Sequence, residues 1–304
     1  LLSLLLLLFA LLSGYGVRNV ISDQRSESLA LWLSRYVIYV ALPAMVLIYV
    51  PRITLDTSVL VPVYSAWGLF VLSSLAVILV GKMARWRRDV IGALLFTVPY
   101  GNTSFLGVPF TKVFFGDKGL PYTLIYDQIG SFLILSTIGV VVLAFYTSQK
   151  ASLLQIIKKV LTFPAFVALV VAFFLHGVEY PVWLGKILSV LADSLSPVAM
   201  IAIGLQLKLR FEAHEKLPFG FAVVVKLLAA PLVLLMVFTA LGVHGIAAQI
   251  SVFEAGMAPM VSSSMMAILA GLNPKFTASV LGYGIVLSFI TLPVAYWVIA
   301  MTNI

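Results

Sequence analysis

Ten apolar runs, each about the length that crosses a bilayer, follow one another with only short polar connections between them. A helix that spans the hydrocarbon core needs roughly 20 apolar residues. The runs fall at about 1–17, 29–50, 59–80, 90–115, 120–147, 153–175, 182–205, 217–241, 246–270 and 276–301. No hydrophilic stretch is long enough for a separate soluble domain. Composition agrees, with 62% hydrophobic and only 10% charged residues, against about 25% charged in soluble domains. The expected fold class is an all-α polytopic membrane protein with ten transmembrane helices. The first run, "LLSLLLLLFALLSGYG", has the apolar core of a signal peptide but no basic segment ahead of it. It is read as a first helix with its start trimmed.

The net charge of +8 does not point to nucleic acid, because the basic residues sit mainly in the short connections. Alternate connections with the span ends beside them, beginning with the first, carry 13 Lys and Arg residues against 4 in the others. The positive-inside rule makes the first set cytoplasmic and places both termini outside. The expected location is the plasma (inner) membrane. With no cysteine in the chain, disulfides, thiolate metal sites and cysteine nucleophiles are excluded.

The fourth span carries "VPYGNTSFLGVPF" at 98–110, where prolines, glycines and polar residues interrupt the apolar run. Proline removes a backbone donor and clashes with the preceding turn. Orphaned backbone groups survive in lipid only within protein or beside a cavity. Asn102, Thr103 and Ser104 begin three residues after Pro99 in the fourth span, and Ser262, Ser263 and Ser264 three residues after Pro259 in the ninth. One such break is an ordinary kink, with Ser/Thr back-bonding patching the ladder. Two at matching places indicate inverted repeats, residues 1–147 and 153–301, with the broken fourth and ninth helices crossing. Half-helix N-termini there would offer N–H groups and a positive dipole end to a carboxylate. The candidate substrate site is Pro99, Gly101, Asn102, Thr103, Ser104, Pro259, Met260, Ser262, Ser263 and Ser264.

"GNTSFLGVPFTKVFFGDKG" resembles the fourth-helix signature of the auxin efflux carrier family, which includes plant PIN carriers and bacterial malate or malonate permeases. "FEAGMAPMVSSSMMAILAG" is similar to the family's ninth-helix signature, and "SPVAMIAIGLQLKL" and "VKLLAAPLVLL" to its seventh and eighth. The resemblance implies a scaffold of helices 1, 2, 6 and 7, a transport domain of helices 3–5 and 8–10, and elevator-type movement of organic anions. It carries the family's motif asparagine to Asn102. PIN carriers have proline before that asparagine where this chain has Gly101, many relatives have Pro-Pro where it has Ala258-Pro259, and its loop between helices 5 and 6 is short. These departures argue against auxin as the substrate, and the short loop resembles the prokaryotic form.

Arg35, Asp127, Lys226 and Glu254 lie well inside spans, where ionisable residues line pathways or pair with each other. Arg35 is close enough to a helix end to snorkel. Asp127 and Glu254, with Lys226, are the candidate coupling residues. A desolvated carboxylate carries a proton, and one beside freed carbonyls and hydroxyls binds Na⁺; the region around "FEAGM" also resembles bile-acid symporters, whose acidic residue there helps bind sodium. Lys226 alternatively neutralises one carboxylate structurally. The expected cofactors are none beyond Na⁺ or H⁺ as coupling ion, with any Na⁺ near Asp127 or Glu254.

"VLGYGIV" at 280–286 and "SGYGV" at 13–17 share a triplet with potassium filters but lie inside spans, where glycine close-packing explains them. His176, His214 and His244 are too scattered for a metal site, and Met257, Met260, Met265 and Met266 read as packing. No Walker A, HExxH or nucleophile-elbow pattern occurs, so neither ATP drive nor catalysis is expected. The expected function is a secondary transporter of a small organic anion. A sodium-coupled bile-acid-type symporter, or a channel or ligand sensor on a transporter fold, are the alternatives. Expected partners are the anion and the lipid bilayer, with a homodimer as the candidate assembly and no nucleic acid.

Overall fold

The computed structural model describes residues 2–53, 56–147, 152–207, 209, 215–302 and 304. Among them the chain is all helical, apart from one isolated β-bridge. Among the described residues, seven helices are long and apolar enough to cross a membrane: α1 (Leu2–Val20), α2 (Asp23–Arg52), α3 (Thr57–Met83), α6 (Leu120–Tyr146), α9 (Val182–Gln206), α10 (Lys216–Leu241) and α13 (Pro274–Met301). An eighth span is counted if α7 (Leu153–Leu161) and α8 (Pro164–Phe174), bent by 59° at their junction, are taken together. The expected sixth span is therefore not straight. Phe163 is extended (φ −74°, ψ 118°) ahead of Pro164, as the residue before a proline is driven to be.

The expected fourth and ninth spans are each interrupted. Helix α4 (Arg88–Thr97) stops, and helix resumes as a π turn at Thr103–Gly107 that leads into α5 (Val108–Phe115). Helix α11 (Ile246–Ala255) stops before Gly256, and α12 (Val261–Leu269) follows. These breaks, with the sixth-span bend, separate the observed count from ten.

The chain divides into two compact units. The first comprises Leu1–Leu55, Ser104–Leu124 and Lys158–Leu207. In it α1 packs along α9, while α8 and α9 flank the Leu42–Tyr49 segment of α2. Lipid tails are as apolar as leucine, so close backbone approach and hydrogen bonds, rather than hydrophobic drive, hold such helices together. A Cβ on Gly14 would fall 2.3 Å from the Ile201 carbonyl oxygen, so only glycine permits this contact of α1 with α9. Ser26 donates to the Leu205 carbonyl, Tyr180 donates to the Leu47 carbonyl at 2.8 Å, and Lys112 pairs with Asp193.

The second unit comprises Asp56–Thr103, Ile125–Ile157 and Lys208–Ile304. Its core has two clusters. Val90, Leu94, Ala222, Phe276 and Val280 join α4, α10 and α13. Phe70, Phe96, Tyr100, Ile134, Leu135 and Met260 gather around the α4 break. Trp67 of α3 donates to the Ile129 carbonyl at 3.0 Å. Ile129 lies in a π turn of α6, Tyr126–Phe132, where the shifted hydrogen-bond ladder invites an outside partner.

Candidate functional site

The two breaks meet inside the second unit. Gly101 and Pro259 form an antiparallel bridge: the Asn102 N–H donates to the Ala258 carbonyl at 2.8 Å, and the Met260 N–H to the Tyr100 carbonyl at 3.1 Å. Each break thus satisfies backbone groups that the other's proline has freed, which hydrocarbon would not tolerate bare. Aromatic packing fixes the first break. Tyr100 stacks on Phe96 with centroids 6.1 Å apart and lies 5.4 Å from Phe70. Gly284 of α13 fixes the second, since a Cβ there would lie 2.5 Å from the Pro259 ring. The "VLGYGIV" glycine is a close-packing residue at the crossing.

Of the expected substrate residues, Gly101, Asn102, Thr103, Pro259, Met260, Ser263 and Ser264 are buried in this unit around the two breaks, and Pro99 is half-buried. Ser104 is half-buried and belongs to the first unit, and Ser262 is exposed. The buried serines act on the backbone. Ser263 donates to Phe96 O at 2.6 Å, and Ser264 to Met260 O at 2.8 Å. Back-bonding, the ordinary role of hydroxyls in membrane helices, therefore engages both hydroxyl protons. Ser263 also ties the start of α12 to α4. The α12 N-terminus has no side-chain cap, so its first N–H groups retain the donor capacity and positive dipole end of a helix start.

The buried charges sort into two groups. Asp127 is 1% exposed; it accepts from the Thr103 hydroxyl and from the Gln128 side-chain amide. Thr103 directly follows the crossing, so the carboxylate is one hydrogen bond from the break. Gln128 Oε1 is buried without a hydrogen-bond partner among the described residues. Lys226 is 5% exposed, and Glu254 is fully buried. The Lys226 ammonium donates to the Ala255 carbonyl at 3.4 Å, against the C-terminal, negative end of α11. The Glu254 charge acts on it. Lys226 and Glu254 thus lie at the crossing beside the end of α11, while Asp127 accepts from Thr103 and Gln128. Arg35 is exposed, consistent with a snorkelling position.

The residues missed from sequence are Gln128, Tyr100 and Trp67. An amide directly after an intramembrane acid, as in "YDQIG", was the available signal for Gln128. The π turns carrying Asp127 and Lys226 (Tyr126–Phe132 and Val225–Ala229) had no sequence signal beyond Pro231 after the second.

Residues 2–296 match the family model described as "Membrane transport protein". The chain belongs to this family, that of the auxin efflux and PIN-like carriers. An uncharacterized transporter of Methanothermobacter thermautotrophicus is 27% identical over 307 positions, covering 96% of this chain and 95% of the relative. An uncharacterized transporter of Methanocaldococcus jannaschii is 23% identical over 309 positions, covering 96% of each. The protein is a multi-span membrane transport protein by family.

Membership also gives meaning to Gly101, where PIN carriers have proline. A Cβ at this position would stand 3.3 Å from Lys226 Nζ, 3.4 Å from Glu254 O and 3.5 Å from Met257 Cβ. The bare glycine leaves room for the ammonium.

Proposed function

We propose that this protein is a secondary carrier of a small organic anion, such as a carboxylate, and that the helix crossing is its substrate site. The observation that carries the reading is the reciprocal backbone pairing of two broken helices around a buried Asn102. Two broken helices that pair their backbones in a buried crossing are the arrangement from which transporter substrate sites are built. Asn102 and the uncapped N–H groups of α12 present donors to the carboxylate, and the α12 dipole favours its charge.

The ten spans form two inverted five-helix repeats. Helices 1, 2, 6 and 7 make the scaffold, and helices 3–5 and 8–10 carry the site in an elevator-type movement. In support, spans 1, 2 and 7 and most of span 6 lie in the first compact unit and spans 3 and 8–10 with the crossing lie in the second, while Ser104–Leu124, of spans 4 and 5, groups with the first. Asp127, with Thr103 and Gln128, is the coupling site for H⁺ or Na⁺, while Lys226 and Glu254 balance each other. The carrier resides in the plasma (inner) membrane with both termini outside.

The test is flux into proteoliposomes of purified protein against a panel of carboxylates. Saturable uptake with substrate counterflow supports the carrier. Conductance without counterflow would identify a channel, and strict Na⁺ dependence a bile-acid-type symporter. Ligand binding with no flux would identify a sensor.

A further inference from the structure

Elevator movement would carry span 4 past span 7, yet Ser104–Leu124 groups with the first compact unit. Its contacts show what holds it there. Helix α5 packs on α1 and on the Leu195–Gln206 part of α9, both assigned above to the scaffold. The segment is also tied to itself. The hydroxyls of Thr111 and Thr123, both fully buried, are hydrogen-bonded at 2.8 Å. Thr111 belongs to α5 and Thr123 to the first turn of α6, so the two arms and the Gly116–Lys118 turn between them form one hairpin.

The charges of the hairpin meet the scaffold. Lys112 of α5 pairs with Asp193, the last residue before α9 turns at Ser194. The same ammonium lies 3.9 Å from Asp117 in the hairpin's own turn. The ring of Tyr49, in the Leu42–Tyr49 segment of α2, is 6.0 Å from it, and the Tyr49 hydroxyl faces Asp117. All four side chains belong to the first unit. Lys112 thus stands between an acid of the scaffold and an acid of its own hairpin.

This doubling suits a contact that must open. A cation stripped of its only partner at a low-dielectric boundary is costly. Asp117 travels with Lys112, so a hairpin leaving the scaffold gives up Asp193 and still keeps a counter-charge. The side chains are 31% exposed for Lys112 and 60% for Asp193. A pair so exposed shifts an equilibrium by about 1.5- to 5-fold, which biases a carrier between two near-equal states without trapping it.

We propose that Lys112 and Asp193 form a releasable latch that docks the hairpin Ser104–Leu124 on the scaffold, with Asp117 keeping Lys112 paired once the hairpin moves. The inference rests on the elevator reading above.

Because the chain has no cysteine, Lys118→Cys and Ile187→Cys place one nitroxide on the hairpin and one on α9, and pulsed dipolar spectroscopy in liposomes reads the distance between them. In the labelled background, Asp193→Asn should raise a longer-distance population by about 1.5- to 5-fold. Lys112→Asp should raise it further, and adding Asp193→Lys should restore the short distance. A single distance unchanged by Asp193→Asn and by Lys112→Asp would overturn the latch. This measurement needs no substrate, and the restoring pair guards against misfolding of the single reversal. In a second arm, Lys112→Cys with Asp193→Cys is bridged by a short bis-methanethiosulfonate. Bridging should stop carboxylate uptake and counterflow in proteoliposomes, and reductant should restore both. Undiminished flux in the bridged protein would overturn the latch and leave the carrier reading standing. Absence of flux in the unbridged and native proteins alike would count against the carrier reading, and the distance measurement would still decide the latch.

Discussion

Gly101→Ala tests the fit between the crossing and its buried lysine. The added Cβ would sit 3.3 Å from Lys226 Nζ, tighter than ordinary van der Waals contact, and 3.4 Å from the Glu254 carbonyl oxygen. Overpacking of this kind costs about 1–3 kcal/mol. The backbone itself has no objection, since Gly101 is not among the positive-φ glycines, and alanine returns about 0.4–1 kcal/mol by restricting the unfolded chain. The net expectation is a loss of about 1–2 kcal/mol in the native background. Methionine is one atom shorter than lysine and vacates the ammonium position. In Lys226→Met the same alanine should therefore be neutral or stabilising. Lys226→Met alone leaves buried Glu254 without its counter-charge, a break that costs about 3–5 kcal/mol, and adding Glu254→Gln should recover most of that. The assay is chemical and thermal unfolding of the purified protein in detergent across the full set of single and combined variants. An equal cost for Gly101→Ala with lysine or methionine at 226 would refute the reasoning, and would put the strain on the Glu254 carbonyl or Met257 instead.

Three further outcomes follow from the site. Asn102→Ala should weaken binding of the transported anion by about 1.5–3 kcal/mol, the worth of a hydrogen bond to a charged group, with folding retained; calorimetric affinity checks it, and no change would remove Asn102 from contact with substrate. Ser263→Ala should lower stability by about 0.5–1.5 kcal/mol through loss of the tie to Phe96 O, more than Ser262→Ala at its exposed position, as measured by unfolding midpoints. Asp127→Asn should abolish the pH or Na⁺ dependence of uptake while sparing counterflow; unchanged ion dependence in proteoliposomes would make the carboxylate structural.

Seven of the ten expected spans appear as long apolar helices among the described residues, legible because lipid imposes one requirement on every residue of a crossing helix. The breaks were legible because proline acts on its own turn, as at Pro99 and Pro259. The bend of the sixth span was written in "TFP" at 162–164 but hidden by unbroken hydropathy on both sides. The fate of the serines was not legible, since a hydroxyl three residues after a proline reads the same whether it faces substrate or a carbonyl. Ser263 bonds to Phe96, which is 167 positions away. The π turns were hidden for a similar reason. Trp67, on another helix, donates to the Ile129 carbonyl within one of them. The carbonyl that Lys226 bonds, that of Ala255, was equally a matter of packing, because sequence offered only Asp127 and Glu254 as its partners.

Those two acids bear on what the carrier moves. On the reading proposed above, in which Lys226 and Glu254 balance each other, the protonation or Na⁺ occupancy of Asp127 sets the net charge of the crossing. A monocarboxylate bound beside ionised Asp127 would then shift two negative charges. Each costs about 2.3 kcal/mol per 100 mV when moved inward against an inside-negative potential. A proton or Na⁺ on Asp127 removes one of them, so uptake gains from coupling at that residue, whereas export runs down the same potential without it. Counterflow returns the same charge in each direction and is indifferent to Asp127. Uptake that depends on pH or Na⁺ through Asp127, beside counterflow that does not, would mark an importer. Flux that follows voltage alone, unchanged in Asp127→Asn, would mark a uniporter running outward.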